Sequence, residues 1–190
     1  MKIASSMTID LNNINSLKLW IEYMPECFIN NLDNEEYNDN LFRIIPEAKY
    51  MVGFKHNHPH HHLDVWNHTL LAISMSPNII IVRLALLLHD IGKPFSYQDG
   101  DVRHFKNHAY ASYEISKNVL YRLGYDKEYV LMVANIIRYH DTPITKEDVN
   151  NDYDATYLRY IVQKCDCLAH HPDKLERRKE YLVKTKKLFE

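Results

Sequence analysis

Apolar residues recur three and four positions apart along most of the chain and alternating β-branched runs are scarce, which predicts helices nearly throughout and an all-α fold. Residues 7–29 read as one or two helices, and the Asn- and acid-rich stretch from Asn30 to Asn40 as a tethering loop. Pro46 opens a short helical turn, and the histidine-rich segment His56 to His62 leads into a helix from about Leu63 to Met75. Pro77 suits the first turn of a helix from Asn78 to His89, stopped by Gly92; with hardly any polar face, this helix should be central. After a loop from Pro94 to Arg103, the pattern predicts a helix from about Asn107 to Leu123, ended by Gly124, and another from an Asp126 cap to about His140. Asp154 to His171 reads as a further buried helix ended before Pro172, and Asp173 to Leu188 as an amphipathic one. The expected organisation is a single helical domain over residues 46–172, with residues 1–45 as an N-terminal extension of it and residues 173–190 as a C-terminal helix.

Composition narrows the function. The chain has 190 residues, 46% hydrophobic and 25% charged, and a net charge of −2, so no whole-molecule field draws it to nucleic acid or an anionic membrane. Phosphate recognition has to be local. The longest apolar stretch, Ile79 to Leu88, is interrupted by Arg83 and falls short of the roughly 20 residues of a membrane span, and the N-terminus has no apolar signal core. A cytoplasmic protein with no membrane partner is expected. Cys27, Cys165 and Cys167 are read as reduced thiols that only pack. The four glycines cannot form a P-loop, a dinucleotide fingerprint or a nucleophile elbow. Twelve histidines are a surplus, and imidazole is both a metal ligand and a near-neutral acid or base.

In a chain so rich in histidine, roughly one His-Asp dipeptide arises by chance; two occur, His89-Asp90 and His140-Asp141. The setting of the first gives it meaning, because it closes the most apolar helix, where an imidazole and a carboxylate would be buried dry unless something binds them. Other candidates fall one per helix: His68, His108, His140 and Asp166, the last inside the apolar segment Tyr160 to Ala169. Separations of 18 to 32 residues leave room for a return helix each time, so six ligands can converge in a bundle. Taken singly, His68 reads equally as a core histidine, and His140 as a helix-end cation. The seven basic residues of the tail, from Lys174 to Lys187, read as a solvated face, with RNA or phosphate contact as the sharper alternative.

These residues carry a resemblance. Through His68, His89-Asp90-Ile91-Gly92-Lys93 and Asp166 the sequence resembles the HD-domain superfamily of metal-dependent phosphohydrolases. It is similar in particular to the HD domain behind the nucleotidyltransferase head of bacterial CCA-adding enzymes, through Pro46-Glu47-Ala48-Lys49, Asp64 to Leu70, Leu86 to Pro94, His104-Phe105 with His108, and His140-Asp141. The Gly-rich turn and paired aspartates of that head do not occur in these 190 residues, so CCA addition does not carry over. The resemblance implies a helical HD fold, a metal bound by His68, His89, Asp90 and Asp166, and hydrolysis of phosphate mono- or diesters, with nucleotides or RNA-end phosphates as substrates. Relatives with two metals use further histidines at positions matching His108 and His140, both present here.

A two-ion arrangement follows, with His68, His89 and Asp166 on one cation, His108 and His140 on the other, and Asp90 between. Such ligands suit divalent iron, manganese, cobalt, nickel or zinc alike. Asp90, Lys93 and His104 are the expected catalytic residues; Lys93 would neutralise a substrate phosphate or act as a helix-end cation, with Arg103 and His104 at the rim. The histidines from His56 to His62, in an exposed polar segment, would line the entrance. Two rivals remain: a non-catalytic nucleotide- or RNA-binding module, and a mixed-valent di-iron oxygenase of the same superfamily.

Overall fold

The computed structural model describes Leu17, Ile21 and residues 35–58, 61–98 and 100–190. The helices expected over residues 7–29 and the thiol of Cys27 lie outside the described residues, except that Leu17 and Ile21 are helical and fully buried. The fold is all-α: α1 (Glu35–Ile44), α2 (Val65–Ser74), α3 (Ile80–Leu88), α4 (His108–Arg122), α5 (Lys127–Arg138), α6 (Lys146–Asn151), α7 (Tyr153–Leu168) and α8 (Leu175–Lys186), with short 3-10 turns between. No strand occurs among the described residues, only isolated bridges pairing Lys55 with Asp64 and Gln98 with His104. None of the described helices is long and apolar enough to cross a membrane.

Helix α3 is the hub, as its apolar run predicts, and packs against α2, α5 and α7. Val82 to Leu88 are all buried. Its one charged residue is tolerated because the guanidinium of Arg83 donates to the Ile21 carbonyl, Asn78 Oδ1 and Ser76 Oγ. Pro77 lies outside the helix, which starts three residues later; the helix ends at Leu88 before His89. Gly92 does not stop it by backbone handedness, since its φ is −81°. A Cβ there would lie 2.5 Å from Ser112 N and 2.6 Å from the His108 carbonyl, so glycine lets the turn after α3 press on the start of α4. Gly124 does terminate its helix in the left-handed region, at φ +81°, with Tyr125 N donating to Leu120 O and Gly124 N to Tyr121 O. Asp126 caps α5 as expected, accepting from Tyr129 N.

Two elements differ from the sequence reading. The stretch taken as a loop up to Asn40 carries the first turns of α1, whose last turn buries Leu41 and Ile44 and packs Phe42 on Trp66. Helix α6, unforeseen, is capped by Thr145, which bonds reciprocally with Asp148. Cys165 and Cys167 are buried free thiols, pushed by burial up to about 11 and about 12.

Candidate metal centre

The turn after α3 brings His89 and Asp90 to the middle of the bundle, both almost wholly buried. Four other chain segments meet them there: His68 from the inner face of α2, His108 from the first residue of α4, His140 from just beyond α5, and Asp166 from the last turn of α7. All six sequence-derived candidates converge.

Their orientation is set by backbone carbonyls, which only accept hydrogen bonds. Nδ1–H of His68 donates to Ala169 O, that of His89 to Leu86 O, that of His108 to Phe105 O and that of His140 to Ile137 O, at 2.6 to 3.2 Å. In three of the four the carbonyl lies three residues earlier, in the last turn of α3 for His89 and of α5 for His140 and in the loop before α4 for His108, so local backbone fixes the ring. Every Nε2 is thereby turned inward, the arrangement seen when imidazoles serve a metal.

Asp90 stands between two groups of rings. Its Oδ2 lies 3.2 Å from His89 Nε2 and 3.9 Å from His68 Nε2, whereas its Oδ1 lies 3.4 Å from His108 Nε2 and 3.8 Å from His140 Nε2. Asp166 Oδ1 completes the first group, 2.8 Å from His68 Nε2 and 3.7 Å from His89 Nε2. Asp141, not among the sequence-derived ligands, joins the second: its Oδ2 is 3.7 Å from His108 Nε2.

Fit to a cation can be read from what is unsatisfied. The buried His89 Nε2 and Asp90 Oδ1 make no hydrogen bond. His108 Nε2 and His140 Nε2 face each other at 3.3 Å although both protons are spent on carbonyls, so two lone pairs oppose one another unless positive charge sits between. The same demand appears in the electrostatics. Burial disfavours a charged His89, but Asp90 and Asp166 outweigh it and raise its pKa to about 10. Both carboxyls are held well below the usual range despite burial, Asp90 chiefly by His89 and Lys93, Asp166 chiefly by His170 and His68. His140 is pulled down to about 4 by burial and by its neighbours His89 and His108. The donor set of imidazoles and carboxylates fits a divalent transition metal.

Lys93 lines the cavity but is engaged: Nζ donates to Asp90 Oδ2 at 2.6 Å and to His56 Nε2 at 3.1 Å. His104 is exposed and lines the same cavity beside Arg103. The segment expected to be exposed is partly inside. His56 is buried, with a pKa depressed to about 3 by burial and Lys93, and His61 stacks on it at 3.7 Å. Asn57, in the left-handed region at φ 45°, makes the bend that turns His56 inward, which no periodicity reveals. His170 was also missed; it lies one helical turn beyond Asp166, and that i, i+4 spacing was the available signal. The cluster opens on a cavity of about 720 Å³, ample for a nucleotide-sized ligand.

Comparison with known proteins agrees with this architecture. The HD domain family profile matches residues 60–180, well over half of the chain, and the chain belongs to that family. This places it in a superfamily of metal-dependent phosphohydrolases. Among curated proteins it is similar to the CC-adding tRNA nucleotidyltransferase of Thermus thermophilus, 36% identical over 111 residues. That alignment covers 54% of this chain and 25% of the relative, so the match spans about a quarter of the relative's length.

Proposed function

We propose that this protein is a metal-dependent phosphohydrolase acting on phosphate mono- or diesters of nucleotides or RNA ends. The observation that carries the reading is the division of Asp90, one oxygen toward His68 and His89 and the other toward His108 and His140, with buried donor atoms left unsatisfied. His68, His89 and Asp166 would hold one divalent cation, His108 and His140 a second, with Asp90 shared and Asp141 able to join the second set. When bound, such cations lower the pKa of water toward neutrality and neutralise phosphoryl oxygens.

The chain's own residues do the rest. The four backbone carbonyls keep each imidazole in the Nδ1–H form, so Nε2 is always the available donor atom. Lys93 fixes the Asp90 carboxylate and carries positive charge at the cavity wall, where a phosphate would sit. His104 and Arg103 at the rim meet the substrate before the cluster does. Burial of His89 and Asp90 excludes bulk water from the inner face of the site.

The test is elemental analysis of the purified protein combined with a screen of phosphomonoesters and phosphodiesters against metals. His89→Ala and Asp90→Ala should each abolish bound metal and hydrolysis together. Full metal content in either variant would remove the proposed site. Nucleotide binding that survives metal removal, without turnover, would instead favour a binding module, and oxygen consumption with iron would favour an oxygenase.

A further inference from the structure

Two guanidiniums on the cavity wall have no carboxylate partner among the described residues. Arg138, at the end of α5, is half buried among ring faces, its guanidinium carbon 5.1, 5.2 and 5.6 Å from the ring centroids of Tyr110, Tyr113 and Tyr139. Ring contacts occupy the faces of a guanidinium and leave its N–H edge to donate. The placement follows from the site: Arg138 precedes His140 by two residues, and Tyr110 follows His108 by two.

Arg178 occupies the other side. On α8 the cations Arg177, Lys179, Lys184 and Lys186 are exposed, but Arg178 is half buried and reaches the cavity. Its Nη1 lies 3.9 Å from the sulfur of Cys167, next to Asp166, and a thiol leaves a guanidinium's donors essentially unspent. Buried Gln163 fastens the two walls together. Its Nε2 donates to the Tyr139 and Thr142 carbonyls at 3.4 and 2.6 Å, while its Oε1 accepts from the Tyr181 hydroxyl at 3.2 Å. The backbone beside Arg138 and the face of α8 bearing Arg178 are thus held in place before any ligand arrives.

A single phosphate at the His–Asp cluster fills a small part of a cavity of about 720 Å³ whose wall also carries both arginines. We propose that Arg138 and Arg178 are specificity-determining residues that hold phosphates neighbouring the one placed at the cluster, so that the site selects ligands carrying consecutive phosphates. The inference rests on the phosphohydrolase reading and adds to it the class of substrate. A guanidinium edge fits a phosphate bidentately, and one on each side of the cluster suits a chain of phosphates passing through it. That chain is either a nucleoside oligophosphate or the end of a nucleic-acid strand.

The experiment compares kcat/KM for a nucleoside triphosphate, a short oligonucleotide with a terminal phosphate, and a nucleoside monophosphate. The proteins are the metal-loaded wild type, Arg138→Gln, Arg178→Gln and, as a control on the exposed face, Arg177→Gln. Expected are a wild-type preference for consecutive phosphates, a loss of that preference by about tenfold or more in each of the first two variants, expressed in KM, and an unaltered ratio in the third. Loss confined to the triphosphate identifies the free nucleotide as the source; loss confined to the oligonucleotide identifies the strand end. No wild-type preference, or an equal fall for all three substrates, overturns the inference. Calorimetric titration with inorganic tripolyphosphate against inorganic phosphate, in saturating magnesium, separates the two readings. If nothing is hydrolysed the phosphohydrolase reading fails, while a tripolyphosphate preference that depends on both arginines still upholds their assignment and its absence rejects it.

Discussion

Asp90 is nearly inaccessible and faces four imidazoles and an ammonium, so its two oxygens cannot be treated as equivalent. Under the proposed assignment, His108→Ala or His140→Ala removes donors from the Oδ1 side alone. Elemental analysis should then find about half the wild-type metal, with the His68, His89 and Asp166 side still loaded; unchanged stoichiometry would mean one ion. Gly92 is the second residue on which the site turns. Because a Cβ there meets backbone atoms of α4 and not a yielding side-chain end, Gly92→Ala should destabilise the fold by about 3 kcal/mol in urea denaturation and displace His108 with it. His89, Asp90 and Asp166 were legible because each is a polar residue where an apolar pattern demands a partner, whereas His68, His108 and His140 were legible only through their one-per-helix spacing and the family resemblance. His170 offered only its i, i+4 spacing from Asp166, and His61 and Asp141 were not legible, since their inclusion depends on how one chain bends or which neighbour a helix end meets. Lys93 could be placed near Asp90 by spacing, but its contact with His56, 37 residues earlier in sequence, could not.

The long helices follow apolar periodicity closely, because a stripe repeated over three or four turns leaves one burial solution. Helix α6 is too short to show a stripe, and only its Thr145 cap announced it. In α1 the aliphatic residues and Phe42 come in the last turn, so the first turns, polar but for Tyr37, read as loop. Contacts between elements were least legible. Arg122 on α4 reaches back to the 3-10 turn at Pro46–Met51 and donates two bonds to Glu47, at 2.6 and 2.9 Å. That hydrogen bond holds the Glu47 carboxyl below its ordinary value of 4.5 against the opposing effect of burial. The pair's stabilisation is therefore fully present above pH 4.5 and is lost as pH falls through the lower folded-state value. Glu47→Gln should lower stability near pH 7 slightly and flatten the decline on acidification, as measured by thermal unfolding across pH; an unchanged acid limb would show that the contact is fully screened by solvent.

At the scale of the whole molecule the candidate centre joins α2, α3, α4, α5 and α7, elements spread from His68 to Asp166. Ligands so far apart in sequence come together only in the folded chain, so a cation bound by them favours the native state over the unfolded one by mass action. Free metal at a hundred times its dissociation constant would stabilise the protein by about 2.7 kcal/mol, which for a chain of this length is a rise in Tm of roughly 5 to 10 °C. Without metal, the core must hold lone pairs and carboxylates together with Lys93 and imidazole protons as the nearest counter-charge. Chelation should accordingly lower Tm by that order, and re-addition of a divalent transition metal should restore it. The shift should shrink in His108→Ala and vanish in Asp90→Ala, where both sets of donors lose their common carboxylate. A Tm indifferent to chelator in the wild type, with metal content verified before and after, would show that the cluster is held by protons alone and that no ion belongs to the folded state.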